Sequence, residues 1–600
     1  MFTRIKHFGL SLLSSGKFPF LITVIAVLLV SGTVPTGFQM DDFTHQYKLE
    51  HPEDNNPLTD LFTFVKDPIK VRELLQENIM PWWTNENLRL NFFRPLSAAT
   101  HWLDHQLWPG NAALMHVHNL IWLALLILCA ALIYRQIMTP LWIAGLAVLA
   151  FALDDAHGMP AGWIANRNAL IAGVFGFLAI YLHIRFRRDQ WRAGAVLAPI
   201  CFLTGLLGAE AAMGAGAYLL SFELILSSGS LRRKAFAILP YVLVGAAWLI
   251  SYKMMGFGAS GSGVYVDPGQ APFTFILTLF KRIPFLLSGQ WLLVDPVLYS
   301  FWTEPLTYFI LAGVYFLLAF IVYILVPVLK HDTLSRFWAL GMLLSLLPVS
   351  ATTPGSRLLT FCGLGGMGLL ARLLLFWFEK PVWLPTSKRY LWTGRVVVPI
   401  LIYFHFIAAP YVLPIESKYM YLLHSESIEK PVVEFSEKFD LKDKRLLILN
   451  APSPLSPASI WQVCELKNLP APRKIALLSS GLIPQMKVYR ADERSLELEP
   501  RDGFITSTME QLFRGPSDPM QVGQIVNMGG IYAEVLTLTE DLRPQRVRFS
   551  LPVSLEDPSI IMCQWKNNRY TPFTPPTVGE TILVKSDFSD LIRSDYFDFY

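Results

Sequence analysis

Phe18-Pro19-Phe20-Leu21-Ile22-Thr23-Val24-Ile25-Ala26-Val27-Leu28-Leu29-Val30 leads into Gly37-Phe38-Gln39-Met40-Asp41-Asp42, and this handover from an uncharged apolar run to two carboxylates decides how the chain reads. A helix needs about 20 apolar residues to cross the hydrocarbon core. Segment 18–36 has that length, so Asp41 and Asp42 are expected where a membrane helix gives way to a polar loop. Comparable runs recur at 113–134, 140–153, 160–182, 193–208, 211–227, 235–254, 305–329, 336–350, 357–377 and 393–413. With 53% hydrophobic residues and no polar face along these runs, a soluble core is excluded. The expectation is an α-helical polytopic membrane protein of about eleven spans.

Charge orients the spans. Cytoplasmic loops are enriched in Lys and Arg, and with Arg4, Lys6 and Lys17 inside, every second connection is basic: Arg135; Arg185 to Arg192; Arg232-Arg233-Lys234; Lys330 and Arg336; Lys380 to Arg395. The first outer loop, Asp41 to Trp108, holds eleven Asp plus Glu against six Lys plus Arg. Pro272 to Leu293 is apolar but carries Lys281-Arg282 mid-run, a burden of roughly 3 kcal/mol per central cation, so it is expected against the outer face or tucked into the protein. Segment 18–36 lacks a small-residue cleavage site and reads as an uncleaved anchor. The net charge of +4 divides into +8 for 1–414 and −4 for 415–600. That division excludes a nucleic-acid partner and fits attraction to an inner leaflet. Cys129, Cys201 and Cys362 read as buried small hydrophobes. Cys464 and Cys563 are candidates for a disulfide in an oxidising compartment.

The long outer loop, 37–112, is too rich in Trp, Phe and Leu for disorder, and short surface helices are expected, with Trp82, Trp83, Trp102 and Trp108 as interfacial anchors. Along the loop come Phe93-Arg94-Pro95-Leu96 and Leu103-Asp104, then His118-Asn119 in the second span. Leu153-Asp154-Asp155-Ala156-His157 ends the third, and Asn166-Arg167-Asn168 opens the fourth. Glu210 follows the fifth, Gly256 to Gln270 forms a Gly- and Ser-rich loop able to act as a lid, and Ser356-Arg357-Leu358-Leu359 precedes the tenth span. Arg167, one turn inside its helix, requires a carboxylate or phosphate partner.

In this order, and all on one side, these motifs resemble the GT-C membrane glycosyltransferases, in particular the bacterial TMTC-like branch related to protein O-mannosyltransferases. The resemblance covers about residues 20 to 375. Ala209 stands where relatives carry Lys, and Thr360-Phe361-Cys362-Gly363 departs from the family's turn. The resemblance implies a lipid-phosphate-dependent hexosyltransferase: a sugar moves from a polyprenyl-phosphate donor to a glycan, lipid or protein acceptor in the cell envelope, with inversion. Asp41 or Asp42 is then the general base. Arg94, Arg167 and Arg357 are the candidate donor-phosphate ligands, guanidinium matching phosphate bidentately. Asp154, Asp155, His157 and Glu210 are candidates for the acceptor or for a divalent cation, Mg or Mn, the candidate cofactor. A lipid-linked saccharide transporter or flippase is the alternative, as is a non-catalytic membrane scaffold. Transport predicts polar residues through the depth of several helices, whereas these cluster toward one side.

From about Ile415 the pattern changes to short period-2 runs, Arg445 to Leu449, Lys474 to Leu478, Ser495 to Glu499 and Arg546 to Ser550, punctuated by Pro and Gly. The expected organisation is therefore a GT-C-like membrane domain over 1–414 and a β-rich or α/β extracytoplasmic domain over 415–600 that serves acceptor recognition or assembly. No Asn-x-Ser/Thr sequon occurs, which favours a bacterial inner membrane with a cytoplasmic N-terminus and a periplasmic C-terminal domain.

Overall fold

The computed structural model describes residues 9–301, 304–480 and 483–585; Arg4 and Lys6 of the expected inner N-terminus fall outside them. Two compact units divide the chain. The first comprises 1–62, 92–256 and 268–421, and the second 63–91, 257–267 and 422–600. The expected boundary near 415 is therefore interrupted twice: segments 63–91 and 257–267, between helices of the first unit, belong to the second.

In the first unit, seven helices are long and apolar enough to cross a membrane: Phe18–Thr36, Ala112–Ile137, Ile164–Arg188, Leu231–Met254, Leu306–His331, Thr360–Glu379 and Lys388–Glu416. Leu141–Ala152 and Asp155–Gly162 form a pair bent by 50°. Gly194–Gly208 and Thr333–Val349 are shorter, and Met213–Ser221 is extended by a π-turn, Phe222–Leu226. All eleven expected runs are helical. Pro272–Leu292 is the helix judged unable to span. Its second half is buried, with Arg282 donating to the Ser350 carbonyl at 2.9 Å and Gln290 reaching Asp154.

The second unit is β-rich. Arg445–Ile448 and Lys474–Leu477 pair in parallel across the helix Ser456–Leu466, and Ile560–Lys566 adds a third parallel strand with Arg569–Pro572 antiparallel at its edge. An antiparallel six-stranded sheet runs in the order Thr581–Lys585, Gln485–Asp492, Ser495–Pro500, Pro544–Ser550, Tyr532–Leu538, Ile525–Asn527. A third, small sheet joins Thr63–Val65 and Arg89–Asn91 from the first inserted loop with Gly258–Ser260 from the second, which is remote in sequence.

Three expectations change here. Trp82 and Trp83 are not interfacial anchors. Both are fully buried among Phe504 and Phe549, and their indole N–H groups donate to the carbonyls of Leu478 and Glu510 at 3.0 and 3.2 Å. An indole buries about 200 Å² when its N–H finds a partner, and the partner lies some 400 residues away, where no local pattern could show it. The loop after Leu231–Met254 is not a free lid, because its strand and the Gly263 N–H, donated to the Gln511 carbonyl at 2.8 Å, build it into this unit. Cys464 and Cys563 are both buried free thiols, one on the helix Ser456–Leu466 and the other on strand Ile560–Lys566, so the disulfide expectation is corrected.

Candidate functional site

The first span ends in the tight turn Ser31–Thr36, and Gly37 at φ +77° takes the left-handed conformation that stops it. Met40, at φ +48°, is a strained non-glycine position immediately before the acidic pair. Asp41–Glu50 then forms a helix whose first turn is Asp41-Asp42, where carboxylates favour the helix dipole.

The two acids have different surroundings. Asp42 is 3% exposed and accepts the backbone N–H of Gln39 at 3.0 Å and of Ala165 at 2.7 Å, tying the loop to the entrance of Ile164–Arg188. Burial nevertheless pushes its pKa up to about 8, more than the two N–H donors pull it down. Asp41 is half-buried, and no hydrogen bond holds its carboxylate among the described residues. Burial raises its pKa too, opposed by the positive charges of Arg357, Lys48 and Arg94 in that order. Asp41 is thus a carboxylate in the field of three cations with no hydrogen bond to its side chain among the described residues, whereas Asp42 is held by two backbone donors.

The arginines also separate. Arg94 lies over the rings of Phe62 and Phe92 and pairs with Glu210 at 2.9 Å, while the Tyr252 hydroxyl donates to the other Glu210 oxygen at 3.1 Å. Glu210 therefore positions Arg94, a role different from the acceptor or metal ligand expected of it. Arg357 follows the turn at Gly355 and lies over the Trp163 ring at 5.7 Å. Arg167 is fully buried and closed off: it pairs with Asp104 at 2.5 Å and donates to the Asn119 side chain and the Met115 carbonyl. His118 accepts the Trp122 indole N–H on Nε2, so Nδ1 carries the proton that it donates to Asp104 at 2.6 Å. The partner required for Arg167 is thus a carboxylate, and the donor-phosphate role expected of it is corrected. A guanidinium at this depth is tolerable only when paired.

Asp154 accepts from its own Ala156 N–H at 3.1 Å and from Gln290 at 2.9 Å. Asp155 stands against Asp154 and Glu416, and Glu416 lies near Asp295. Glu416 packs closely on Gly158, where a Cβ would stand 2.5 Å from its own. Asp295 accepts from the N–H of Val297 and from the Ser356 hydroxyl beside Arg357, and burial raises its pKa. His157 is buried against Phe151 with both ring nitrogens unpartnered among the described residues. These acids do not form a metal centre: among the described residues no three His, Cys, Asp or Glu side chains converge as ligands. Among the described residues the donor set does not fit the Mg or Mn expected as candidate cofactor.

Five residues escaped the sequence reading as site members: Lys48, Asp104, Asp295, Glu416 and His45. Asp104 was legible as Arg167's partner had the demand for a counter-charge been carried into the Leu103-Asp104 motif. His45 follows Asp41 by one helical turn and so shares its face. Its ring lies 5.2 Å from that of His101. Burial, with Lys48 and Arg94 nearby, drives its pKa down to about 3. Both His45 nitrogens and Nε2 of His101 are unpartnered among the described residues, leaving neutral imidazoles beside the acid. Asp295 and Glu416 lie in stretches with no motif, and only packing brings them to Arg357 and Asp155.

No protein-family model matches the chain, and no curated protein matches it. Among solved structures it is similar to the Archaeoglobus fulgidus oligosaccharyltransferase tethered with an acceptor peptide containing the NVT sequon, at 13% identity over 77% of this chain and 64% of that one, TM-score 0.34. It is also similar to AglB of the same organism in complex with an inhibitory peptide and a dolichol-phosphate, at 12% identity, 77% and 65% coverage, TM-score 0.38. A third is ArnT from Cupriavidus metallidurans bound to undecaprenyl phosphate, at 9% identity, 77% and 90% coverage, TM-score 0.35. The chain spans just under two thirds of the archaeal proteins' length. All three TM-scores lie below 0.5, and the likenesses carry no argument about this chain's family. At such identities and scores they carry nothing about chemistry, which rests on the site itself.

Proposed function

We propose that the protein is a membrane glycosyltransferase that moves a sugar from a polyprenyl-phosphate donor to an envelope acceptor on the outer face, with inversion, residues 1–414 carrying the reaction and 415–600 serving acceptor recognition or assembly. The observation that carries this reading is the pair of unlike acids: Asp41 without a side-chain hydrogen bond among the described residues and in the field of Arg357, Lys48 and Arg94, beside an Asp42 fixed by backbone donors. In the reaction, Asp41 takes the proton of an acceptor hydroxyl as its oxygen attacks the anomeric carbon. The bond from that carbon to the phosphate oxygen breaks, and Arg357 takes the negative charge of the departing phosphate, helped by Lys48 and an Arg94 held in place by Glu210. The neutral rings of His45 and His101 are available to orient hydroxyl groups, and the acids Asp155, Glu416 and Asp295 are assigned to the acceptor. The protein is then an inner-membrane protein of a bacterium, N-terminus in the cytoplasm and second unit in the periplasm.

The test is transfer by purified protein in nanodiscs, with a polyprenyl-phosphate sugar or a nucleotide sugar as donor and an envelope extract as acceptor source, read by mass spectrometry. Transfer from the lipid-linked donor is expected. Transfer from the nucleotide sugar without a lipid carrier would refute the reading.

A further inference from the structure

At the opposite end of the helical unit from Asp41 lies a groove of about 980 Å³ between Leu306–His331 and Lys388–Glu416, two helices that are each long enough to span. The chain itself sets the separation: Thr360–Glu379 begins just after Arg357 and ends before Lys388, and 20 residues of helix cover about 30 Å. The groove's floor is held by the Tyr390 hydroxyl, which donates to the Ile324 carbonyl at 3.0 Å. Phe316 and Phe320, with rings 4.9 Å apart, form part of one wall, and Trp392, largely exposed, forms part of the other.

Three cations line this groove, Lys388, Arg389 and Arg395, all exposed; no Asp or Glu lines it, and none of the three forms an ion pair among the described residues. Other basic side chains toward this end are satisfied by acids: Arg372 by Asp332, and Arg187 by Glu223. Three exposed cations with no acid among the groove's lining residues leave a local excess of positive charge. An anion with an apolar tail fits both the charge and the apolar wall, its head on the cations and its chain along the phenylalanines. Basic pockets between membrane helices select anionic lipid headgroups, and indoles favour the headgroup level.

We propose that this groove is a binding site for an anionic glycerophospholipid of the adjoining leaflet. The inference does not depend on the proposed transfer activity. Its test is native mass spectrometry of delipidated protein titrated with phosphatidylglycerol or phosphatidylcholine, using wild type and the triple variant K388Q/R389Q/R395Q. Wild type should retain one phosphatidylglycerol at least tenfold more tightly than phosphatidylcholine. With about fivefold per cation near an anionic surface, the triple variant should lose on the order of 100-fold. Equal retention of the two lipids by wild type, or unchanged retention by the variant, would overturn the site. Should the variant misfold, wild-type melting in the two lipids decides: a stabilisation by phosphatidylglycerol that 1 M salt abolishes is expected, and none would overturn the proposal. If undecaprenyl phosphate displaces phosphatidylglycerol at equal concentration, the groove serves the lipid carrier and the glycerophospholipid assignment fails.

Discussion

Replacing Asp41 by Asn should abolish turnover and leave the fold intact, whereas the same change at Asp42 should do nearly the reverse. Asp41's carboxylate makes no hydrogen bond among the described residues, so an amide of equal shape loses no partner. Its raised pKa means that ionisation is harder in the folded than in the unfolded chain, so a residue that never ionises should leave stability at pH 7 equal or higher. The rate should fall by about 10²- to 10⁴-fold, the usual worth of a general base, or roughly 3 to 5 kcal/mol of barrier. Asp42 instead receives two backbone N–H groups, at 3.0 and 2.7 Å. An amide offers one oxygen to them and turns an NH₂ toward the other, which strands a buried donor at a cost of about 1 to 3 kcal/mol. The assay compares both variants with wild type in nanodiscs, measuring melting temperature and single-turnover transfer from a lipid-linked sugar, with mass spectrometry of envelope glycans from the expressing cells. Wild-type turnover by a folded Asp41→Asn protein would refute the base assignment. A fully stable Asp42→Asn protein slowed a hundredfold would reverse the two roles.

Further outcomes follow from the same contacts. Transfer should fall as pH drops and Asp41 gains a proton, and in Arg357→Gln this acid limb of kcat/KM should move to higher pH, because the largest charge lowering Asp41's pKa is gone; an unmoved limb would separate Arg357 from Asp41. Asp42, raised from 3.8 to about 8, binds its proton more tightly when folded. Its stabilisation is complete below about pH 4 and lost as pH rises toward 8, so the fall in melting temperature over that window should be smaller in Asp42→Asn. Asp104→Ala should cost about 3 to 5 kcal/mol by leaving Arg167 buried and unpaired, seen as lost monodisperse protein; a stable variant with altered donor binding would restore the phosphate role to Arg167. Truncation after Tyr421 should prevent accumulation of the protein, because Trp82 and Trp83 lose a core in which each buries roughly 200 Å²; a soluble, donor-binding truncation would show that the inserted loops fold without it.

The sequence by itself determined what depends on local composition. Helices in the right order follow from uncharged runs, because lipid tolerates no unpaired backbone, and Lys281-Arg282 with Pro284 sets Pro272–Leu292 apart from the other apolar runs. The strands around Arg445, Lys474, Ser495 and Arg546 were legible as short apolar runs between Pro and Gly turns, but only the last alternates in burial; the first two are buried at every position after the first, because parallel sheets are covered on both faces. Asp41-Asp42 was legible as a pair because a helix end followed by two acids is visible in one dimension. What separates the two acids is not visible there: the Ala165 N–H that fixes Asp42 and the Arg357 that faces Asp41 arrive from residues more than a hundred positions away. Tertiary structure likewise decided that Arg167 belongs to Asp104, that Glu210 holds Arg94, and that Trp82 and Trp83 fill a core built from the far end of the chain. Hydrophobic periodicity records which face of an element is buried. The partner that buries it, and the charge that neutralises a buried ion, are set by contacts between distant segments that no local pattern encodes.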